Sequence, residues 1–239
     1  MKLKKIASLM LAGVMAVSML AGCQNTSVNP EPTPNPDPTP ATGYSAKLGK
    51  EIDELSPIAG NNVGWSEKSN LQSSLNYQVG SVGYNALTGS FLDSLNDGQV
   101  QFVDSFWNTP AIVTNVNDEV TTDMDANVNA RRNPSVGNAV MALNPNDTNY
   151  DVDEYNTVLL FVVDNGVNLN NAMDQIAKEI VYGVENLDDD YDSTPLSSGN
   201  SMNVDYEYTG SVATCTKTFE AGHGVGVSFI AVEIVRHIA

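Results

Sequence analysis

From Thr157 to Val163 the chain reads Thr-Val-Leu-Leu-Phe-Val-Val, apolar at nearly every position and rich in β-branched residues. A short continuous run of this kind predicts a buried strand. Asp164-Asn165-Gly166 is a turn signal. Asn168 then offers an N-cap. Leu169, Ala172, Met173, Ile176, Ile180, Val181 and Val184 recur at helical spacing, with Asp174, Gln175, Lys178 and Glu179 off that stripe. The spacing predicts an amphipathic helix ending near Asn186, and an acidic loop from Leu187 to about Met202. Val204, Tyr206 and Tyr208 alternate with polar residues, and the run continues to about Phe219. After a Gly-rich turn at Ala221–Gly224, Val225 to Val235 is again apolar almost throughout. This is a hairpin whose last strand is expected to be central, because only a strand covered on both faces stays apolar on both.

The first half is less regular. Ala46 to Leu55 predicts a short helix stopped before Pro57. Tyr84 to Trp107 carries Leu87, Phe91, Leu92, Leu95, Phe102, Val103 and Phe106, and is expected to be helical segments broken at Asp97-Gly98. Ala111 to Val116 and Ala139 to Leu143 are expected to be strands. The fold class expected is α+β: a mostly antiparallel sheet, a carboxyl-terminal strand-helix-strand-strand unit, and helices packed on it.

The first residues have a different character. Lys2, Lys4 and Lys5 precede an apolar run from Ile6 to Leu20, too short to span a bilayer comfortably and ending in small residues. That is the pattern of a secretory signal. Its end, Leu20-Ala21-Gly22-Cys23, resembles the lipobox of bacterial lipoproteins at every position. The resemblance covers only these residues. It implies a signal peptide over 1–22, diacylglyceryl transfer to the Cys23 thiol, cleavage after Gly22, and a mature amino terminus at Cys23. Two acyl chains anchor stably where one binds reversibly, since each buried methylene is worth about 0.8 kcal/mol.

Residues 23–43 form a tether. Pro30, Pro32, Pro34, Pro36, Pro38 and Pro40 fall on every second position, fixing φ and holding the residue before each one extended. At about 3.1 Å per residue the stretch from Asn29 to Thr42 reaches roughly 40 Å. No second linker or fixed-period repeat follows, so residues 44–239 are expected to be one globular domain.

Composition narrows the function. The chain has 239 residues, 11 basic against 29 acidic, and a net charge of −18. Removing the three signal lysines from 11 leaves 8 basic residues against 29 acidic, a mature charge of −21. Such a surface lacks the Lys and Arg that displace counterions from phosphates, which argues against nucleic-acid binding. With Cys23 acylated, Cys215 is the sole remaining cysteine and no intrachain disulfide is expected.

Asp123, Asp125, Asn127 and Asn129 alternate, as oxygen ligands in a calcium loop can. The spacing resembles the start of an EF-hand loop, but Val128 stands where that loop needs glycine and Pro134 where it needs a bidentate glutamate. Asp151, Asp153 and Glu154 form a second acidic cluster, and Asp188, Asp189, Asp190 and Asp192 a third. Each reads either as a Ca2+ site or as solvated surface. Cys215 and His223 would make a thiol–imidazole pair, but seven residues of hairpin strand put them roughly 20 Å apart. Cys215 is therefore expected to be a small buried strand residue and His223 an exposed turn residue. Gly222, Gly224 and Gly226 sit in a hairpin turn and open no helix, so they lack the context of a phosphate loop. Tyr44, Tyr77, Tyr84, Trp65 and Trp107 read as core or rim residues, with a sugar-binding face as the sharper alternative. The function expected is a lipid-anchored extracytoplasmic surface protein, acting as a non-enzymatic binding module for a cell-wall or host surface ligand. The alternative is a cell-envelope hydrolase using carboxylates. No catalytic residue is singled out.

Overall fold

The computed structural model describes residues 39–40, 43–103, 109–126, 135–146, 148–193, 202–219 and 225–239. Its centre is a mixed, mostly antiparallel sheet of seven strands. The strands are β1 (Thr39–Pro40), β2 (Val63–Glu67), β3 (Gln101–Phe102), β4 (Glu154–Asp164), β5 (Asp190–Ser193), β6 (Met202–Thr218) and β7 (Gly226–Ile238). Their order is β1-β2-β6-β7-β4-β3, with β5 paired to the start of β6. The helices are α1 (Gly43–Leu55), α2 (Pro57–Asn62), α3 (Ser69–Gly80), α4 (Gly89–Leu95), α5 (Ala111–Asp123), α6 (Val136–Met141) and α7 (Leu169–Glu185). Among the described residues no helix is long and apolar enough to cross a membrane.

β7 is central, as its pattern requires. It pairs antiparallel with β6 on one side and β4 on the other. β4 and β6 therefore run parallel, joined across one face by α7, and β7 folds back between them. Alternate residues point to two separate cores. Leu159, Phe161 and Val163 of β4 and Ile230, Val232 and Ile234 of β7 meet α1, α6 and α7. Val158, Leu160 and Val162, with Val227, Phe229 and Ala231, face the core that α3, α4 and α5 cover. Burying each large apolar side chain contributes roughly 1.5–3 kcal/mol. With helices on both faces the central strands need apolar residues at every position.

The predicted helix after β4 forms as expected. The Asn168 side chain accepts from the Asn170 N–H, and Ala172, Met173, Ile176, Ala177, Ile180 and Val184 are buried. The helix before Pro57 is α1. Four expectations need correction. Ala111–Val116 is the start of α5, not a strand: Val113, Val116 and Val120 fall at i, i+3 and i+7 and pack as a helical stripe under the sheet. Ala139–Leu143 belongs to α6 and the turn after it, started by Ser135, whose side chain accepts from the Asn138 N–H. In both, helical packing outweighed β-branched propensity, which is a weak local preference. Beyond Asp97-Gly98 the chain makes the edge strand β3, after a turn in which Gly98 takes φ +73°. The acidic loop after α7 contains β5, because Tyr191 and its neighbours find partners on β6.

β2 covers only Tyr208 to Gly210 of the β6 edge. Side chains continue its work. Ser45 Oγ accepts from Val212 N–H at 2.9 Å, and the Gln72 amide both accepts from Thr214 N–H (3.2 Å) and donates to Thr214 O (2.9 Å). Gln72 thus imitates a strand residue on an edge that would otherwise invite pairing.

Two contacts depend on missing Cβ atoms. Trp65 lies between Gly49 of α1 and Gly210 of β6; a Cβ would come within 2.5 Å and 2.8 Å of its ring. α6 and α7 touch backbone to backbone, where a Cβ on Gly183 would stand 2.6 Å from Gly137 O. Gly183→Ala is expected to cost about 1–3 kcal/mol through overpacking, read as a lower urea midpoint at unchanged m-value. A midpoint equal to the parent's would show that the helices separate freely.

Candidate functional site

On the face packed by α3 and α5, the sheet changes character toward the carboxyl end of β7. Beyond Ala231 the same face presents Glu233, then Val235, then His237. Glu233 is fully buried. Its Oε1 accepts from Lys68 Nζ at 2.8 Å and Asn156 Nδ2 at 3.0 Å, and its Oε2 accepts from Ser211 Oγ at 3.4 Å. Lys68 is the residue before α3, so the carboxylate is served by a cation, an amide and a hydroxyl from three elements. Asn156 also donates to Met124 O at 2.8 Å, fastening the end of α5.

Two residues on, His237 lies between Glu154 of β4 and Glu207 of β6, its register partners. Its Nε2 is 2.9 Å from Thr209 Oγ1 and its Nδ1 is 3.6 Å from Glu154 Oε1. Hydroxyl, imidazole and carboxylate in this order form the chain that activates a nucleophile. Thr209, however, is in register with Gly64 on one side and Val235 on the other, so the ladders on both sides occupy its backbone.

Further along, Asp189, Asp190, Asp205, Tyr206, Glu207 and Ala239 line an open depression of about 290 Å³. Asp190 and Asp205 are directly opposed in the β5–β6 pair. Neighbouring Asp188 has its carboxyl held above the ordinary value of 3.8, by partial burial first and then by Asp190 and Asp189.

The opposite face holds a buried cation. Arg236, fully buried, donates through Nη1 to Leu143 O at 2.7 Å and to Asn149 Oδ1 at 3.4 Å, and through Nη2 to Asn149 O. Its guanidinium lies 5.1 Å from the Tyr155 ring centroid and 4.7 Å from that of Tyr206. Burial lowers its pKa, an effect opposed by the tyrosines around it. Burial also pushes the Tyr208 hydroxyl well above its usual range, and that hydroxyl donates to Asp188 O at 2.7 Å. This arrangement binds the stretch between α6 and β4 to the sheet.

The residues singled out in the sequence are dispersed. Asp123 closes α5, where its Oδ2 accepts from Ser74 Oγ at 2.6 Å and Gln78 Nε2 at 3.1 Å, tying α5 to α3. Asp125 follows with φ 52°; Asn127 and Asn129 lie outside the described residues. Among the described residues no group of three or more His, Cys, Asp or Glu side chains is placed to hold a metal ion. Cys215 is buried in β6 opposite Phe229, as expected. Cys23 lies outside the described residues, as do Trp107, Gly222, His223 and Gly224. A disulfide through Cys23 and an acyl anchor on it would need the same sulfur, so the two are exclusive. The aromatic residues make no common face: Tyr44 and Trp65 pack on one core, Tyr84 on the other, and Tyr77 is exposed on α3.

The polar end of the sheet was missed in the sequence. The available signal was Glu233 and Arg236 inside an otherwise apolar run, since charges buried in a central strand must find partners. No family model, curated protein or solved structure matches the chain.

Lys68→Met should cost about 3 kcal/mol, the low end for removing one partner of a buried pair, because Asn156 and Ser211 still serve Glu233. Lys68→Met with Glu233→Leu should recover most of that loss in urea unfolding. If the double variant is no better than the single, the pair is not coupled. A second expectation concerns Asp188. Its raised folded-state pKa means that the folded chain keeps a proton which the unfolded chain has already lost. Stability therefore falls as pH rises through that window, from 3.8 upward. Asp188→Asn should raise Tm at pH 7, with the gain fading as pH approaches 4; a gain that persists unchanged at pH 4 would contradict this.

Proposed function

We propose that the chain is a lipid-anchored protein of the extracytoplasmic face of a bacterial membrane, and that its globular domain is a non-enzymatic binding module. The observation that carries the anchor is Leu20-Ala21-Gly22-Cys23 at the end of a basic-then-apolar leader, followed at once by alternating prolines. The proline-rich segment leads into β1, which joins the sheet edge beside β2. The tether would thus reach the domain along this edge of the sheet. What supports binding rather than catalysis is the shape of the polar surfaces, which are shallow and built on flat strand ends. A cell-wall or host surface ligand with many hydrogen-bond donors suits their excess of carboxylates.

A hydrolase reading has one observation behind it. Asp190 and Asp205 are directly opposed across two strands, which places their Cβ atoms about 4.5–5.5 Å apart. Paired carboxylates at such spacings cleave glycosidic bonds. Both are exposed, however, and among the described residues they border an open depression.

Cys23→Ala should move the protein from the membrane fraction to the medium or leave it as uncleaved precursor. In the parent, mass spectrometry should find an amino-terminal peptide starting at Cys23 with an added diglyceride. Membrane retention with normal cleavage in Cys23→Ala, or a peptide of Cys23 cross-linked to Cys215, would overturn the anchor. For the module, the detergent-extracted chain should co-sediment with insoluble cell-wall material. Release of reducing sugar from that material, lost in Asp190→Asn with Asp205→Asn, would replace binding by hydrolysis.

A further inference from the structure

A second cleft lies at the opposite end of the sheet, far from the polar cluster. It is lined by Tyr84, Gly89, Leu92, Asp93, Asn96 and Asp164, with Leu95, Val225 and Gly226 at its margin, and encloses about 250 Å³. That is below the usual range for drug-sized ligands, roughly 300–1,000 Å³, and suits a single small ring. From these features we infer that the cleft is a binding site for one amino-sugar unit, a hydroxylated ring bearing a protonated amine. The inference deepens the binding-module reading and rests on it.

The lining specifies the ligand's chemistry. Tyr84 is half-buried, and its ring is fixed against Phe219, the centroids 5.9 Å apart and the planes inclined at 49°. A fixed aromatic face accepts the apolar side of a sugar ring and attracts a cation. Asp93 and Asp164 contribute carboxylates, and Asn96 an amide that both donates and accepts. The Asp164 side chain is held in place because its Oδ1 accepts from Gly166 N–H at 2.8 Å, leaving Oδ2 to a ligand. Leu92 and Leu95 supply the apolar surface. Among the described residues of the lining the charged groups are Asp93 and Asp164, so an anionic ligand would meet like charge there.

The test is equilibrium dialysis of the detergent-extracted chain against labelled glucosamine, glucose and glucuronate, at slightly acid pH where the amine is charged. Glucosamine should bind saturably with a millimolar Kd, as befits a shallow site and a ligand of about a dozen heavy atoms. Glucose should bind more weakly and glucuronate not measurably. Tyr84→Ala and Asp93→Asn should each weaken glucosamine binding at least about five-fold, and Asp93→Asn, at an exposed position, should do so with Tm unchanged. No saturable binding, glucuronate binding equal to glucosamine binding, or full affinity in both variants would overturn the assignment. If glucosamine fails while the chain still co-sediments with cell wall, this cleft is rejected and the binding module stands. If both fail, both readings fall.

Discussion

β7 is buried on both faces, and the rest of the structure is arranged around that constraint. Its neighbours must be strands on both sides, and its faces must be covered by helices, or its near-continuous apolar sequence would meet water. α7 closes one face and α3 with α5 the other. The strand also carries Glu233 and Arg236, both fully buried, on opposite faces and not paired with each other. Each draws in its own polar shell. Glu233 gathers Lys68, Asn156 and Ser211, while Arg236 gathers the carbonyls of Leu143 and Asn149 and two tyrosine rings. Burying a charge is costly unless it is paired or hydrogen-bonded. These two residues therefore do more than lie in the core: they dictate where the segments before α3 and before β4 must sit.

The same logic accounts for where the surface is polar. Helices cover the middle of the sheet, and its ends are left to loops and water. The carboxyl end of β7 bears His237 with two flanking glutamates and, on β5 and β6, a run of aspartates. The hairpin end bears Tyr84, Asp93 and Asp164. Either end can receive a ligand without disturbing the apolar layers. With a net charge of −18, both are biased toward cationic or donor-rich partners and away from anions.

Close approaches to backbone supplement the side-chain packing at two places. Gly49 and Gly210 leave room for Trp65, and Gly183 lets α6 rest on α7. Edge protection is equally local, with Ser45 and Gln72 finishing a strand edge that β2 is too short to cover. Such devices join single residues of different elements, as far as 167 positions apart for Ser45 and Val212, and they leave no periodic trace.

The sequence by itself determined the carboxyl-terminal half, because hydrophobic periodicity there is strong and local. Seven apolar positions mark α7, and continuous apolar runs mark β4 and β7 as interior strands. It also carried Leu20-Ala21-Gly22-Cys23, which resembles a lipobox, and the proline alternation, both of which are contiguous motifs. Tertiary structure decided the rest. Val113, Val116 and Val120 could have served a strand or a helix, and only packing beneath the sheet selected the helix. Asp123 looked like a calcium ligand because its neighbours alternate in sequence, yet its carboxylate is directed to Ser74 and Gln78, some 45 to 49 residues away. Glu233 stands out in the sequence only as a charge in an apolar run, since its partners Lys68, Asn156 and Ser211 come from distant elements. A linear pattern records which residues one element must bury. It does not record which polar residues separate elements bring together, because that depends on register and layer order.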